Sequence, residues 1–536
     1  MNSSFDHKKF VVTTPLYYVN DVPHIGSAYT TMSADALIRW QRLQGKSALL
    51  ITGTDEHGQK IERTAIEKGL PPQEHCDRIV ASFTDLWNKL NIQYDRFSRT
   101  TAPQHQVIVN QFFQKVWDKG DIYLDRQQGW YCVSCEEFKE ARELSSDKHC
   151  LIHPNKKAEW RDEENYFFRL SKYQSQLEAI YQENPEFIQP ETRRNEVLNF
   201  VSQGLQDFSI SRVNLDWGFP LPTDAKHTIY VWFDALLGYV TALLEPDQKA
   251  DLETALTQGW PIDLHLIGKD ILRFHAVYWP AMLLSAELPI PKKVFGHGFL
   301  TKDGLKMGKS LGNTLDPFAL CDKYGADAVR YYFLRAIEFG KDGDFNETRF
   351  IEILNADLAK NLGNLLNRTL GMLNKYCQGN GPQLNRENYP ESDSLKALGS
   401  NLEKKVTIAY ENLQFKQACE AIIELANASN KYIDDHAPWV LFKEGNQTEI
   451  EQVLYAVLES IRLCAYLLSP IVPNLSRDIY QQLGFDLDFN QKTQINSADI
   501  FAQHSQWGQL TANRNLNKAQ PVFAQLELSS EVSSDS

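Results

Sequence analysis

The sequence predicts an α/β parallel-sheet region, split by a cysteine-bearing insertion and followed by an all-α helix bundle. Three observations carry this expectation. Short β-rich runs ending in Thr or Gly alternate with helical patterns on both sides of residues 116–226, which is the signature of a parallel sheet. The tight group of cysteines falls inside that interval. From about residue 356 the apolar period becomes that of a helix, and strand-like runs cease.

In chain order, KFVVTT (9–14) and ALLITG (48–53) read as strands of a first half, 1–115. The interruption, 116–226, is dense in charge and reads as an inserted domain. DLHLIG (263–268) and VFGHGFL (294–300) resume the sheet in a second half, 227–300, and 301–355 leads on to the bundle. Within the bundle, 356–520, residues Leu358, Leu362, Leu365, Leu366, Leu370 and Leu373 form one apolar face, and 396–430 and 449–468 repeat the pattern. The Ser-rich stretch 521–536 reads as a frayed, disordered tail.

A chain of 536 residues exceeds one ordinary core, so several domains are expected, and 43% apolar residues can fill them. The longest apolar runs are broken by Asp234 or Arg462 and fall short of the roughly 20 residues a membrane span needs. MNSSFDHKKF lacks the apolar core of a signal peptide, so a cytoplasmic location and no membrane partner are expected. A net charge of −14 argues against indiscriminate nucleic-acid binding, which depends on neutralising phosphates. Cys76, Cys321, Cys377, Cys419 and Cys464 are scattered, as small buried hydrophobes would be.

Cys132-x2-Cys135 followed by Cys150-x2-His153 offers three thiolates and an imidazole from two short turns. Tetrahedral Zn²⁺ takes four such ligands, and four protein donors leave no open position, so one structural zinc per chain is expected. A redox pair would leave Cys150 and His153 unexplained.

Two phosphate-binding readings fail. Gly304 to Ser310, GLKMGKS, has one residue too few between its glycines for a P-loop, and no Gly-x-Gly-x-x-Gly occurs. What remains is a pair of stations, HIGS after the first strand and KMGKS after the last. A histidine and glycine at a strand-to-helix turn can bring an imidazole and backbone N–H groups to a phosphate. Two lysines on a loop can hold a leaving pyrophosphate.

TTPLYYVNDVPHIGS, ITGTDEHGQKI, YVWFDALLGYV, HLIGKDILRFHAVYWPAML, FGHGFLTKDGLKMGKSLGN, NLGNLLNR and APWVLF, together spanning residue 13 to about residue 440, resemble the methionyl-tRNA synthetase family of class I aminoacyl-tRNA synthetases. The resemblance implies a Rossmann-like catalytic domain split by a zinc-bearing connective insertion. A stem-contact segment and an α-helical anticodon-binding domain would follow. It implies activation of L-methionine by ATP, with Mg²⁺, to methionyl-adenylate and pyrophosphate. Transfer to the 3′-terminal adenosine of tRNA(Met) would then serve translation initiation and elongation.

The resemblance assigns residues as follows. His24, Gly26 and Ser27 would contact ATP, with Gly268 and Asp270 on the nucleoside, Arg212 on the triphosphate, and Lys306 and Lys309 on pyrophosphate; His24 and the two lysines would be catalytic. Asp55 would pair with the substrate ammonium. Leu16, Tyr18, Trp232, Ala235, Leu236, Tyr239, Phe274 and His275 would line a side-chain pocket suited to a polarizable thioether. Periodicity alone reads VWFDALLGYV as one core helix. Asn364, Arg368 and Trp439 would read the anticodon.

Ser27 departs from the family's second histidine, and Gly308 from the serine of Lys-Met-Ser-Lys-Ser. These departures keep open a catalytically silent tRNA-binding relative; the nearest other alternative is a leucine, isoleucine, valine or cysteine enzyme of the same class. A nucleotidyltransferase would not need the helical region. The chain ends soon after the bundle, so a monomer is expected.

Overall fold

The computed structural model describes residues 9–213, 215–307, 312–384, 389–390, 393–492 and 497–528. The chain divides into two compact units: Met1–Ala34, Ala48–Asn88 and Gln93–His297 form one, and Asp35–Ser47, Lys89–Ile92 and Gly298–Ser536 form the other.

The first unit is built on a six-stranded parallel sheet: β1 (Phe10–Tyr18), β2 (Ala48–Asp55), β3 (Arg96–Arg99), β4 (Ile188–Gln189), β5 (Leu264–Gly268) and β6 (Val294–His297), in the order β3-β2-β1-β5-β6-β4. Chain order reverses between β1 and β5. In open α/β sheets ligands bind outside the carboxyl ends of the strands at such a point. Here the crevice has a local cause. Pro15 lacks an N–H, and the β1–β2 register shifts between Thr13 and Leu16. Beyond Thr13, β1 stays paired with β2 as far as Tyr18 but no longer pairs with β5. The two strand ends therefore part, leaving Leu16, Tyr18 and Asp55 at the opening.

An antiparallel four-stranded sheet holding Ile122–Cys132, Glu137–Lys139, Glu159–Phe168 and Phe208–Ser209 carries the cysteine turns. Two details correct the sequence reading. The segment 116–226 does not lie wholly apart, because β4 comes from it and pairs in parallel with β6 at Val294. The apolar run 294–300 is not one strand. β6 ends at His297, and Leu300–Lys302 opens a separate three-stranded sheet in the second unit. The intervening Phe299 N–H donates to Asp342 Oδ1 at 2.8 Å.

The rest of the second unit is helical. Gln447–Leu468 is buried on every side from Val453 onward and forms its centre. The six leucines of the 358–373 stripe are all buried. They span two helical types, a π-helical stretch Asn355–Gly363 and an α-helix Asn364–Tyr376. Part of the expected frayed tail is held in place, which corrects the reading of 521–536. Asn355 and Leu526 exchange two hydrogen bonds of 2.8 Å, from the Asn355 amide to the Leu526 carbonyl and from the Leu526 N–H to the Asn355 side-chain oxygen. Residues 529–536 lie outside the described residues. Among the described residues no helix is long and apolar enough to cross a membrane.

Candidate active site and metal centre

The first station sits where β1 gives way to α1 (Ile25–Leu43). His24 folds back over the helix start, and its Nδ1 accepts the N–H groups of Gly26 at 3.0 Å and Ser27 at 3.3 Å. Two N–H groups that would lack helical partners are thereby satisfied. A Cβ at position 26 would lie 2.9 Å from the His24 ring, so a larger residue there would displace the imidazole from the helix start. With Nδ1 accepting, the ring proton is assigned to Nε2, which lies 3.5 Å from Ser27 Oγ. His24 is exposed and Ser27 buried, so the imidazole faces outward with the serine behind it. Thr30, one turn on, bonds to His297 Nε2 at 2.6 Å, joining α1 to the end of β6.

Across the crevice, Asp55 ends β2. It is buried, and its Oδ1 has no hydrogen-bond partner among the described residues. Burial, then the charges of Asp234, Glu136 and Glu56, push its pKa well above the ordinary carboxylate range. A buried carboxylate oxygen without a donor is costly. An incoming ammonium would satisfy it.

The aromatic wall comes from two broken helices. VWFDALLGYV is not one core helix: Val231–Ala235 and Gly238–Thr241 are separate turns. Trp232 stacks on Phe274 with centroids 3.8 Å apart, and the Tyr239 hydroxyl bonds to His275 Nε2 at 2.8 Å. Phe274 and His275 open a π-helical segment, Phe274–Tyr278, a form that recurs at functional sites. His275 Nδ1 faces the Ile271 carbonyl at 3.1 Å, so it carries the proton and Nε2 accepts from Tyr239. Burial pushes the His275 pKa down to about 4 against that bond, so the ring is neutral at pH 7. Leu16 and Tyr18 at the end of β1 are partly buried, while Ala235 and Leu236 are buried beside Trp232.

Gly268 ends β5 and Asp270 follows, exposed. Arg212 is enclosed between Tyr230, 4.1 Å from its guanidinium, and Tyr131, at 5.4 Å. Its Nη1 donates to Ser209 Oγ and the Ser211 carbonyl, and its Nε has no partner among the described residues. In the second unit, Lys302, Asp303, Gly304 and Leu305 form a hairpin in which Asp303 and Gly304 both have positive φ, the mirror-image turn that Asp-Gly favours. Lys306 is exposed at the end of its second strand. Gly308, Lys309 and Ser310 lie outside the described residues.

Cys132, Cys135, Cys150 and His153 bring one donor atom each to within 4.8 Å of one another. Each turn is closed by a backbone bond, Cys135 N–H to the Cys132 carbonyl and His153 N–H to the Cys150 carbonyl. Cys135 Sγ lies 3.6 Å from Cys150 Sγ and 3.2 Å from His153 Nδ1. These separations match the edges of a small tetrahedron, so the four residues fit a metal ion. Glu136, next in the chain, reaches away from this cluster. Its Oε1 accepts from Tyr18 Oη at 2.9 Å and Lys60 N–H at 2.8 Å.

Asn364 is exposed and Arg368 half-buried on one face of Asn364–Tyr376. The Arg368 guanidinium lies 5.4 Å from the Trp439 ring and donates to Asp434 Oδ1 at 2.6 Å. A left-handed Ala437 turns the chain sharply before Pro438–Glu444, leaving Trp439 exposed.

Sequence reasoning missed Glu136, His57, His105 and Asp234. The signal for Asp234 was present: a carboxylate in an apolar run must find partners. It has two, His57 Nδ1 at 2.6 Å and His105 Nε2 at 2.9 Å. Burial would raise its pKa, but the two imidazoles outweigh burial and hold it at about 2.

Comparison with known proteins agrees across most of the chain. Residues 10–150 and 140–370 match the family described as tRNA synthetases class I (M), and residues 398–532 match the anticodon-binding domain of tRNA ligase. The methionine–tRNA ligase of Synechocystis sp. is 70% identical over 97% of this chain and 98% of its own length. The chloroplastic/mitochondrial enzyme of Arabidopsis thaliana is 53% identical over 98% of this chain and 84% of its own. The structure of Mycobacterium tuberculosis methionyl-tRNA synthetase in complex with methionyl-adenylate superimposes with a TM-score of 0.88 at 39% identity, covering 96% of this chain and all of that one.

Proposed function

The chain belongs to the class I methionine–tRNA ligases, and from that membership we propose how its own residues divide the work. It joins methionine to tRNA at the expense of ATP. In the first step a methionine carboxylate oxygen attacks the α-phosphorus of ATP, the bond to pyrophosphate breaks, and methionyl-adenylate forms. In the second, the 3′-terminal adenosine of tRNA displaces AMP.

Asp55 supports this reading most directly. Its unpartnered Oδ1 sits in a cleft walled by aromatic rings, where it would accept the substrate ammonium. The stacked Trp232 and Phe274, with Leu16, Tyr18, Ala235 and Leu236, would enclose the unbranched thioether. Tyr239 donates its proton to the neutral His275, so its hydroxyl oxygen would meet the substrate sulfur without a competing charge.

In-line displacement at phosphorus requires little covalent help, so positioning and charge stabilisation dominate. His24, with Nδ1 held by the α1 backbone, would direct Nε2–H to a phosphate oxygen, with Ser27 as a second, weaker donor. Gly268 would let the nucleoside approach β5, and Asp270 would accept ribose hydroxyls. Arg212 would reach the triphosphate by leaving its aromatic slot. Lys306 and Lys309 would stabilise the departing pyrophosphate, and Mg²⁺ would accompany ATP. Cys132, Cys135, Cys150 and His153 would hold a structural zinc, whose contribution is to fold the insertion. Asn364, Arg368 and Trp439 would read anticodon bases by hydrogen bonding and stacking.

ATP–pyrophosphate exchange with a panel of amino acids tests the assignment. Methionine should be preferred, and Asp55→Ala should raise its KM about 10- to 100-fold, as expected for loss of a charged hydrogen bond. Preferential activation of leucine or cysteine would overturn it.

A further inference from the structure

Beneath the crevice, the ring of His57 donates from Nδ1 to Asp234 Oδ2 at 2.6 Å. The other Asp234 oxygen meets His105 Nε2 at 2.9 Å, and His105 Nδ1 lies 2.7 Å from Thr241 Oγ1. His57, Asp234 and His105 are all buried. Phe219 packs edge-on against His57 with centroids 4.6 Å apart and tilts against His105 at 5.9 Å, while Trp217 closes on His57 at 5.6 Å. Neither imidazole can turn without breaking both a hydrogen bond and a ring contact.

The chain matters because of where its first member is attached. His57 stands two residues beyond Asp55, so fixing its ring anchors the end of β2 that carries the carboxylate, and the charge of Asp234 helps to raise the Asp55 pKa. Asp234 also lies between the pocket residues Trp232 and Ala235 on Val231–Ala235. One residue thus ties the ammonium-facing carboxylate to the turn that carries the side-chain wall. The buried Asp55 Oδ1 itself has no hydrogen-bond partner among the described residues, which leaves it able to accept from a substrate amine.

We propose that Asp234, bridged by His57 and His105, is a positioning residue that sets the Asp55 carboxylate against the thioether pocket and so determines how strongly the site reads the substrate amine. This rests on Asp55 as the ammonium partner and deepens that reading. Outer partners of metal-ligating side chains are worth about 10- to 100-fold, and we take the lower end as the scale for a positioning residue here.

The test compares two competitive inhibitors that share the thioether and lack the carboxylate: L-methioninol, which keeps the amine, and 4-(methylthio)butan-1-ol, which does not. Wild-type protein should bind the amino alcohol more tightly, and Asp55→Asn should abolish that preference. Asp234→Asn should cut the preference about tenfold while leaving affinity for the amine-free alcohol within about twofold. Thr241→Val, a milder change at the far end of the chain, should lower the preference in the same direction, which keeps the proposal testable if Asp234→Asn does not fold. Equal weakening of both alcohols in these variants, or an unchanged preference, would overturn the proposal. Absence of any amine preference in the wild type would overturn the Asp55 assignment, and this inference with it.

Discussion

At the scale of single residues, His24 and Ser27 divide the first signature unequally. His24 is exposed while Ser27, 3.5 Å from its Nε2, is buried, so the imidazole should carry most of the charge stabilisation. We expect His24→Ala to slow adenylate formation by about 100-fold or more, a loss of the size seen when a preorganised donor is removed. Ser27→His should change it much less. Single-turnover measurement of adenylate decides, and equal, small effects from both would place the chemistry elsewhere. His275 makes a different prediction. Its folded pKa of about 4 lies below the unfolded value near 6.5, so the unfolded chain takes up a proton that the folded site refuses. Its contribution to stability is therefore fully present above pH 6.5 and is lost as pH falls towards 4, reaching about 3 kcal/mol. Denaturant titrations of wild type and His275→Gln should show a shallower acid decline in the variant.

At the scale of elements, the central helix Gln447–Leu468 buries an ion pair. Arg462 and Glu459 are both fully buried, and Glu459 also accepts the N–H groups of Gly508, Gln509 and Leu510. Arg462 donates to the carbonyls of His504 and Gln506. Together they fasten the segment after Ser497–His504 to the bundle. Arg462→Met strands the carboxylate and should destabilise the helical unit by about 3–5 kcal/mol, whereas pairing it with Glu459→Leu should recover part of that loss. Urea unfolding of wild type, Arg462→Met and the double variant checks the order. The charges in this helix were visible in the sequence, since Arg462 interrupts an apolar run. Their partners were not, because those lie 42 to 51 residues away.

At the scale of the whole molecule, the elements most legible in the sequence were those with local signals. The strand runs of β1, β2 and β5, the cysteine spacing and the leucine stripe each depend on neighbours within a few residues. The family's motifs also singled out Asp55 and the pocket residues proposed above. The Asp234 chain was not, because its bonds span 177 and 129 residues. The break within VWFDALLGYV and the π-helical turn at Phe274 were also hidden, since both arise where packing overrides an apolar period that suits a continuous helix. The metal cluster gives a prediction at this scale. Cys132→Ser, or chelation, should release the metal and raise hydrogen exchange across 122–168, with the bundle unchanged. Full protection of 122–168 in metal-free protein would contradict the structural role. Finally, the unpartnered Asp55 oxygen sets function against stability. In the ligand-free site the buried Asp55 Oδ1 has no hydrogen-bond partner among the described residues, and a substrate ammonium would supply one. Asp55→Asn should therefore raise the melting temperature of the ligand-free protein while impairing methionine binding, and wild type should gain more thermal stability from methionine than the variant does.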